Sequence, residues 1–344
     1  MHRGAAPGRV AVTSGPSPNA EPTRRGRRLA LLLGGTLLAL ALLEVLARAL
    51  SSHPRLLFEP DPSVIWRLAP GRTGVPRPGL PPATVDAEGW RRGGEVSAGA
   101  EVRVVVAGDS VTFGWGVADG EAYPALLERT WSAGGAGTPL RVLNAGVPGY
   151  AVWQVLKVLD RETDARRPRG AVLALTTDDF YRSGDPGEAE RRSAARRIRW
   201  TNLAKRSEVL GFVRERLLDP LLRTFRVRRW TMESRAKVPF ETVWGSQAGA
   251  ISEALDRVRA RGTIPVLAAL PERRIEEDPG DLAARLGELA SAKGVGFANL
   301  YPRMRREGRT IEAYFLEVDG HPTPLGHVVI AEAIGAALEE AGVR

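Results

Sequence analysis

Five short, continuous apolar runs constrain this chain more than any other feature: Val102 to Ala107, Leu140 to Leu143, Ala171 to Leu175, Thr263 to Leu270 and Val295 to Leu300. A strand with one face in water alternates apolar and polar residues, so an unbroken apolar run bounded by Gly and Pro reads as a strand covered on both faces. Between the runs lie stretches with helical spacing: Glu121 to Trp131, Ala151 to Thr163, Gln247 to Ala260, Asp281 to Lys293 and the final Leu325 to Ala341. Strands separated by helices predict a three-layer α/β/α sandwich around a central, mostly parallel five-stranded sheet with right-handed crossovers. Such sheets carry their ligands at the carboxyl ends of the strands.

A second constraint lies upstream. Leu29 to Leu43 is 15 residues without a charge, and continuing past Glu44 to Ala47 gives 19, close to what one bilayer crossing needs. The segment before it, residues 1–28, has the Gly/Ala/Pro/Ser composition of a disordered leader and ends in the basic cluster Arg24 to Arg28. That cluster predicts a cytoplasmic N-terminus, a transmembrane anchor over residues 29–48 and an extracytoplasmic remainder. A cleaved signal peptide, suggested by Ala47-Arg48-Ala49, and a buried helix of a soluble protein are the alternatives. Residues 49–100, rich in Pro, Gly and Arg, read as a linker or a small subdomain.

Charge and composition exclude several function classes. Of the net +9, residues 1–50 hold seven arginines against two glutamates, leaving +5 in the leader and apolar segment. A nucleic-acid surface would place such charge on the folded body, so no nucleic-acid partner is expected and the basic excess reads as topological. Cysteine is absent, which removes disulfides, thiolate chemistry and Cys-ligated metals. No cluster has metal-ligand spacing, and no cofactor is expected.

The residues just past the strand ends carry the chemistry. The first run breaks at Gly108-Asp109-Ser110, inside "RVVVAGDSVTFGWGV". After the second comes "NAGVPGY", after the third "TTDDFYR", and before the last helix "VDGHPTPLGH". Serine needs a base to take its proton and an acid to hold that base. Of the four histidines, His2 and His53 precede the α/β body, which leaves His321 in a loop and His327 on the last predicted helix. Reactive groups favour loops on a rigid scaffold, so His321 is the better candidate, with Asp319 beside it.

These blocks, in this order, resemble the SGNH hydrolase superfamily, the GDSL-type esterases and lipases, over about Val102 to Ala341. The resemblance implies a flavodoxin-like fold and a serine hydrolase in which Ser110 is the nucleophile, His321 the base and Asp319 its orienting acid. It also implies an oxyanion hole from the backbone N–H groups of Ser110 and Gly146 and from the third block. There the family has Gly-x-Asn-Asp, whereas this chain has Thr176-Thr177-Asp178-Asp179, so Asp178 stands where the asparagine amide would donate. An ionised carboxylate about 4 Å from an oxyanion repels it by roughly 4 kcal/mol at an effective dielectric near 20. Either Asp178 stays protonated, a threonine hydroxyl donates instead, or catalysis is lost and a pocket remains. The fifth block departs as well, with Asp319 two rather than three residues before the histidine.

The expected function is therefore hydrolysis of an acyl ester, O-acetyl included, on a cell-envelope carbohydrate or lipid. The alternatives are an O-acetyltransferase using the same triad and a catalytically impaired carbohydrate-binding protein. A basic insertion at about 183–245, with apolar residues at helical spacing, reads as helices packed on the body, a lid, or an interfacial helix on anionic lipid. Trp115, Tyr150 and Trp153 are candidates for a pocket lining or for core.

Overall fold

The computed structural model describes residues 24–50, 55–56, 58–77, 79–93, 102–133, 139–182, 184–213, 238–270, 273, 281–306, 310–317 and 320–343. Two compact units emerge, one ending at Leu50 and the other running from Ser51 to Arg344.

The described residues of the first unit form one helix, α1 (Arg24–Leu50), which has no buried residue and whose leucines are exposed along its length. A 27-residue helix with a mean hydropathy of 2.4 over its most apolar window is long and apolar enough to cross a membrane. Glu44, the one acid in the apolar stretch, accepts a 2.7 Å ion-pair contact from Arg48 one turn later, which lowers the cost of placing it near an interface.

The second unit is built on five strands, β5 (Val102–Gly108), β6 (Leu140–Gly146), β7 (Gly170–Leu175), β8 (Ile264–Ala269) and β9 (Gly296–Asn299), all parallel, in the order β6-β5-β7-β8-β9. This is the predicted sheet. Val104 to Ala107 and Ala171 to Leu175 are almost wholly removed from water, because helices cover both faces of these central strands. Each such valine or leucine contributes about 1.5–3 kcal/mol of apolar burial.

The connections supply the covering layers. Helix α3 (Tyr123–Ala133) joins β5 to β6 and packs with the terminal helix, while α4 (Val152–Arg166) joins β6 to β7 and packs with α9 (Ala248–Ala260), which precedes β8. Strand order reverses after β6, so right-handed crossovers send α3 to one face and α4 to the other. Helices α10 (Asp281–Lys293) and α12 (Pro324–Glu340) complete the layers; α11 (Tyr301–Arg306) follows β9. Thr323 caps α12 by accepting from Gly326 N–H at 3.2 Å, and Pro324 sits at the first helical position, where its missing N–H costs nothing.

Residues between 55 and 93 form two small antiparallel ribbons, β1 (Phe58–Asp61) with β2 (Ile65–Leu68) and β3 (Thr73–Gly74) with β4 (Ala83–Thr84). Leu56, Val64, Leu68, Val85 and Trp90 join the main core rather than forming one of their own. Arg91 is the buried anchor of this segment: its guanidinium donates to the carbonyls of Phe113 (2.7 Å), Val117 (2.6 Å) and Gly114, and pairs with Asp119 at 3.1 Å. In the region of the basic insertion, α6 (Glu188–Lys205) packs on β1 and β2, and α7 (Glu208–Val213) follows it. The short α8 (Phe240–Gly245) leads into α9.

Candidate active site

The end of β5 is forced to be glycine. A Cβ on Gly108 would lie 2.0 Å from Thr112 Oγ1 and 2.8 Å from the Ala174 carbonyl oxygen. The chain can therefore turn tightly into α2 (Ser110–Phe113), one turn capped by Asp109, whose Oδ1 accepts the Val111 N–H at 2.9 Å. Gly114 ends the turn at φ +85, a left-handed conformation that needs no Cβ. Ser110 is thus placed at the carboxyl edge of the sheet on a helix too short to move independently.

Its Oγ lies 2.9 Å from His321 Nε2 and 3.2 Å from Asp109 Oδ2. His321 reaches it from a tight loop in which Leu316 N–H donates to the His321 carbonyl (2.7 Å) and Gly320 N–H to that of Leu316 (3.0 Å). The Trp115 ring packs against the imidazole at 5.8 Å between centroids. The sequence-predicted pair Ser110 and His321 are therefore brought together from positions 211 residues apart. Asp319 lies outside the described residues.

The other histidine of the block is a core residue. His327 is fully buried on α12, stacked with Tyr123, and its Nδ1 accepts the Tyr123 N–H at 3.3 Å. Burial, followed by the positive charge of Arg91, holds its pKa down at about 3, so it is neutral.

Gly146 lies at the end of the strand and not in the loop that follows it. The apolar pattern ends the second strand at Leu143, whereas β6 runs on through Asn144, Ala145 and Gly146. Gly146 is buried in the sheet edge, its N–H donates to Asn144 Oδ1 at 3.1 Å, and a Cβ there would lie 2.2 Å from Phe113 N. Its role is close packing beneath α2, and its N–H is occupied. The loop proper starts three residues later, where Gly149 is exposed at φ +86 and its N–H makes no hydrogen bond among the described residues. The second glycine of "NAGVPG" was the signal the sequence offered for it.

The third block divides its two carboxylates. Asp178 is exposed on the first turn of α5 (Thr177–Tyr181), and Asp179 is fully buried. Asp179 accepts the Thr176 N–H at 3.0 Å and pairs with Arg182 at 2.9 Å. Burial, then the neighbouring charge of Asp109, pushes its pKa well above the usual carboxylate range, opposed by Arg182. Arg182, which the motif reading missed, ties three strand ends together. It contacts Asp109 Oδ2 at 3.4 Å after β5, the Tyr150 carbonyl after β6 and Asp179 after β7. By taking Asp109 Oδ2, it weakens the one acceptor that competes with His321 for the serine proton.

Chemically, the arrangement offers a hydroxyl aligned on an imidazole at the mouth of a parallel sheet, with glycine-rich backbone alongside. Residues 106–329 match the model of the GDSL-like Lipase/Acylhydrolase family. No curated protein matches the chain. Among solved structures, the lipase/acylhydrolase from Enterococcus faecalis is similar at 16% identity, covering 69% of this chain and 95% of its own, with a TM-score of 0.43. An acetyl xylan esterase from Geobacillus stearothermophilus is similar at 15% identity over 70% of this chain and 95% of its own, TM-score 0.43. TesA is similar at 16% identity over 70% and 99%, TM-score 0.42. The match spans well over half of the sequence, from within β5 through β9, and includes the Ser110 and His321 blocks, so this chain belongs to the GDSL-like lipase/acylhydrolase family, with the SGNH-hydrolase fold.

Proposed function

We propose that the protein is a serine esterase that hydrolyses an acyl ester of a cell-envelope carbohydrate or lipid, with α1 as a retained anchor and the hydrolase domain outside the cytoplasm. The observation that carries this reading is the 2.9 Å contact between Ser110 Oγ and His321 Nε2 at the carboxyl edge of the sheet. Oγ attacks the ester carbonyl while its proton passes to Nε2; the alcohol leaves with that proton, and water, activated by the same imidazole, releases the acid from Ser110. Asp319 orients the imidazole.

In this reading the oxyanion is held by the N–H groups of Ser110 and Gly149. Asp178 replaces a neutral amide donor with an exposed carboxylate. Solvation weakens its repulsion from roughly 4 kcal/mol at an effective dielectric of 20 toward about 1 kcal/mol in water, so the site is slowed rather than silenced. Loss of one oxyanion donor costs about a hundredfold to a thousandfold. That handicap is also what favours the rival reading, a family member that has lost catalysis and binds envelope carbohydrate.

The deciding experiment uses the full chain in detergent with p-nitrophenyl acetate and butyrate, alongside Ser110→Ala and labelling by a fluorophosphonate. Turnover and labelling that both vanish in Ser110→Ala support the esterase. Equal background in both proteins with no labelling refutes it in favour of binding. Product carrying the acyl group on an added sugar alcohol, instead of free acid, would make the protein an acyltransferase through the same Ser110 intermediate.

A further inference from the structure

A cavity of about 640 Å³ opens between α4, α5, α8 and α9. Its walls are apolar: Val152, Trp153 and Leu156 from α4, Phe180 from α5, Val243 from α8 and Ala250 from α9. Two of its walls are additions to the sheet-and-helix frame, since α8 comes from the region of the basic insertion and Val238, just before it, accepts the Tyr181 hydroxyl at 3.1 Å. The polar groups around it are committed to one another. Gln247 Nε2 donates to the carbonyls of Phe180 (3.0 Å) and Val243 (3.2 Å), and Asp185 pairs with Lys157 at 3.3 Å and with Arg191.

Arg182 belongs to both places. It lines this cavity and touches Asp109 Oδ2, which is itself 3.2 Å from Ser110 Oγ. Ser110 Oγ, Asp109 Oδ2 and Arg182 thus run in contact from the serine to the wall of an apolar chamber of ligand-binding size. We propose that this cavity receives the hydrocarbon chain of a medium-chain acyl group, so that the preferred ester carries a hexanoyl to decanoyl chain rather than an acetyl. A carbohydrate would demand free donors and acceptors along the wall, and the polar groups named above are already paired. The assignment rests on the esterase reading for the position of the acyl carbon, but the cavity itself is tested separately.

Burying one methylene contributes about 0.8 kcal/mol, up to fourfold in kcat/KM. With the full chain in detergent, kcat/KM should rise at least about tenfold from p-nitrophenyl butyrate to octanoate. Ala250 is exposed on the cavity wall, so Ala250→Trp fills the space without entering the core. That variant should keep its acetate activity within about twofold and lose the gain with octanoate. Because micelles are common to both proteins, the difference between them isolates the cavity.

A second readout needs no turnover: calorimetric titration of octanoate into Ser110→Ala, with and without Ala250→Trp. Octanoate binding that disappears on filling supports the cavity even if no ester is hydrolysed, in which case only the esterase reading fails. Acetate turnover with a flat chain-length profile, unchanged by Ala250→Trp, and no octanoate heat would overturn the cavity assignment and leave the esterase standing.

Discussion

Replacing Arg182 by methionine tests the reasoning about the site most directly. The side chain holds two buried carboxylates, Asp109 (2% exposed) and Asp179 (0%), and is itself 30% exposed. Removing one partner of a fully buried pair costs about 3–5 kcal/mol, and partial exposure of the arginine discounts this to about 2–3 kcal/mol. At about 2–4 °C per kcal/mol for a domain of this size, Tm should fall by roughly 4–12 °C at pH 8. The pH dependence is the discriminating part. Asp179 already binds its proton more tightly in the fold than the unfolded chain does, so stability from this group is greatest at low pH and declines as pH rises through its folded pKa. Arg182 opposes that shift; without it the pKa rises further, and the deficit must be larger at pH 8 than at pH 5. Activity should drop about ten- to hundredfold, because Asp109 Oδ2, freed of the arginine, competes with His321 for the Ser110 proton. Differential scanning fluorimetry across pH and p-nitrophenyl ester kinetics measure both effects. A Tm deficit that is the same at pH 5 and pH 8, together with unchanged kcat, would refute the account of Arg182 as the clamp beneath the nucleophile.

Other expectations follow from single contacts. Asp178→Asn should raise kcat by about tenfold or more by restoring an amide donor; an unchanged rate would remove Asp178 from the oxyanion region. Gly146→Ala, whose methyl would meet Phe113 N at 2.2 Å, should cost about 1–3 kcal/mol in denaturant unfolding, and a neutral result would contradict the packing of β6 against α2. His327, held at a pKa of about 3 against 6.5 unfolded, gives stability that is present above pH 6.5 and lost as pH falls toward 3. His327→Asn, which keeps an acceptor for Tyr123 N–H, should flatten that acid limb in a Tm-versus-pH series. Arg91→Met removes one donor from each of three loop carbonyls and the ion pair from Asp119 and should destabilise the fold by about 3–5 kcal/mol while lowering kcat; a stable, fully active variant would show that the loop after α2 holds itself.

The sheet was legible because its strands are buried on both faces, and a continuous apolar run is then the only pattern available to them. All five runs became strands, and each predicted helix lies within two residues of an observed one at its start. Apolarity marks the part of a strand inside the core but not its last residues. At β6 the pairing of Asn144, Ala145 and Gly146 with Val106, Ala107 and Gly108 is set by the neighbouring strand rather than by hydropathy, and that is why Gly146 read as a loop glycine. Arg182 and Arg91 were illegible for a related reason. An arginine held by the fold among 49 basic residues has no local signature, since what holds it is a set of carbonyls and carboxylates scattered through the sequence.

The third block shows how sequence and structure constrain each other at the reacting edge. "TTDD" places two acids side by side at a strand end, where a pair of like charges would be costly if both were buried. The first turn of α5 separates them: Asp178 faces solvent, and Asp179 turns inward to accept the Thr176 N–H. Burial of Asp179 next to Asp109 is offset by Arg182, the extended residue just past the end of α5, which comes back over both. The arginine is needed because the aspartate is buried, and the aspartate's burial fixes the strand end whose neighbour carries Ser110. A chain that kept Asp179 but lost Arg182 would lose the positive charge that offsets Asp109 beside it, so among relatives of this protein the two residues should be found together or be absent together. A set of homologous sequences in which Arg182 varies freely while Asp109 and Asp179 stay fixed would break this coupling.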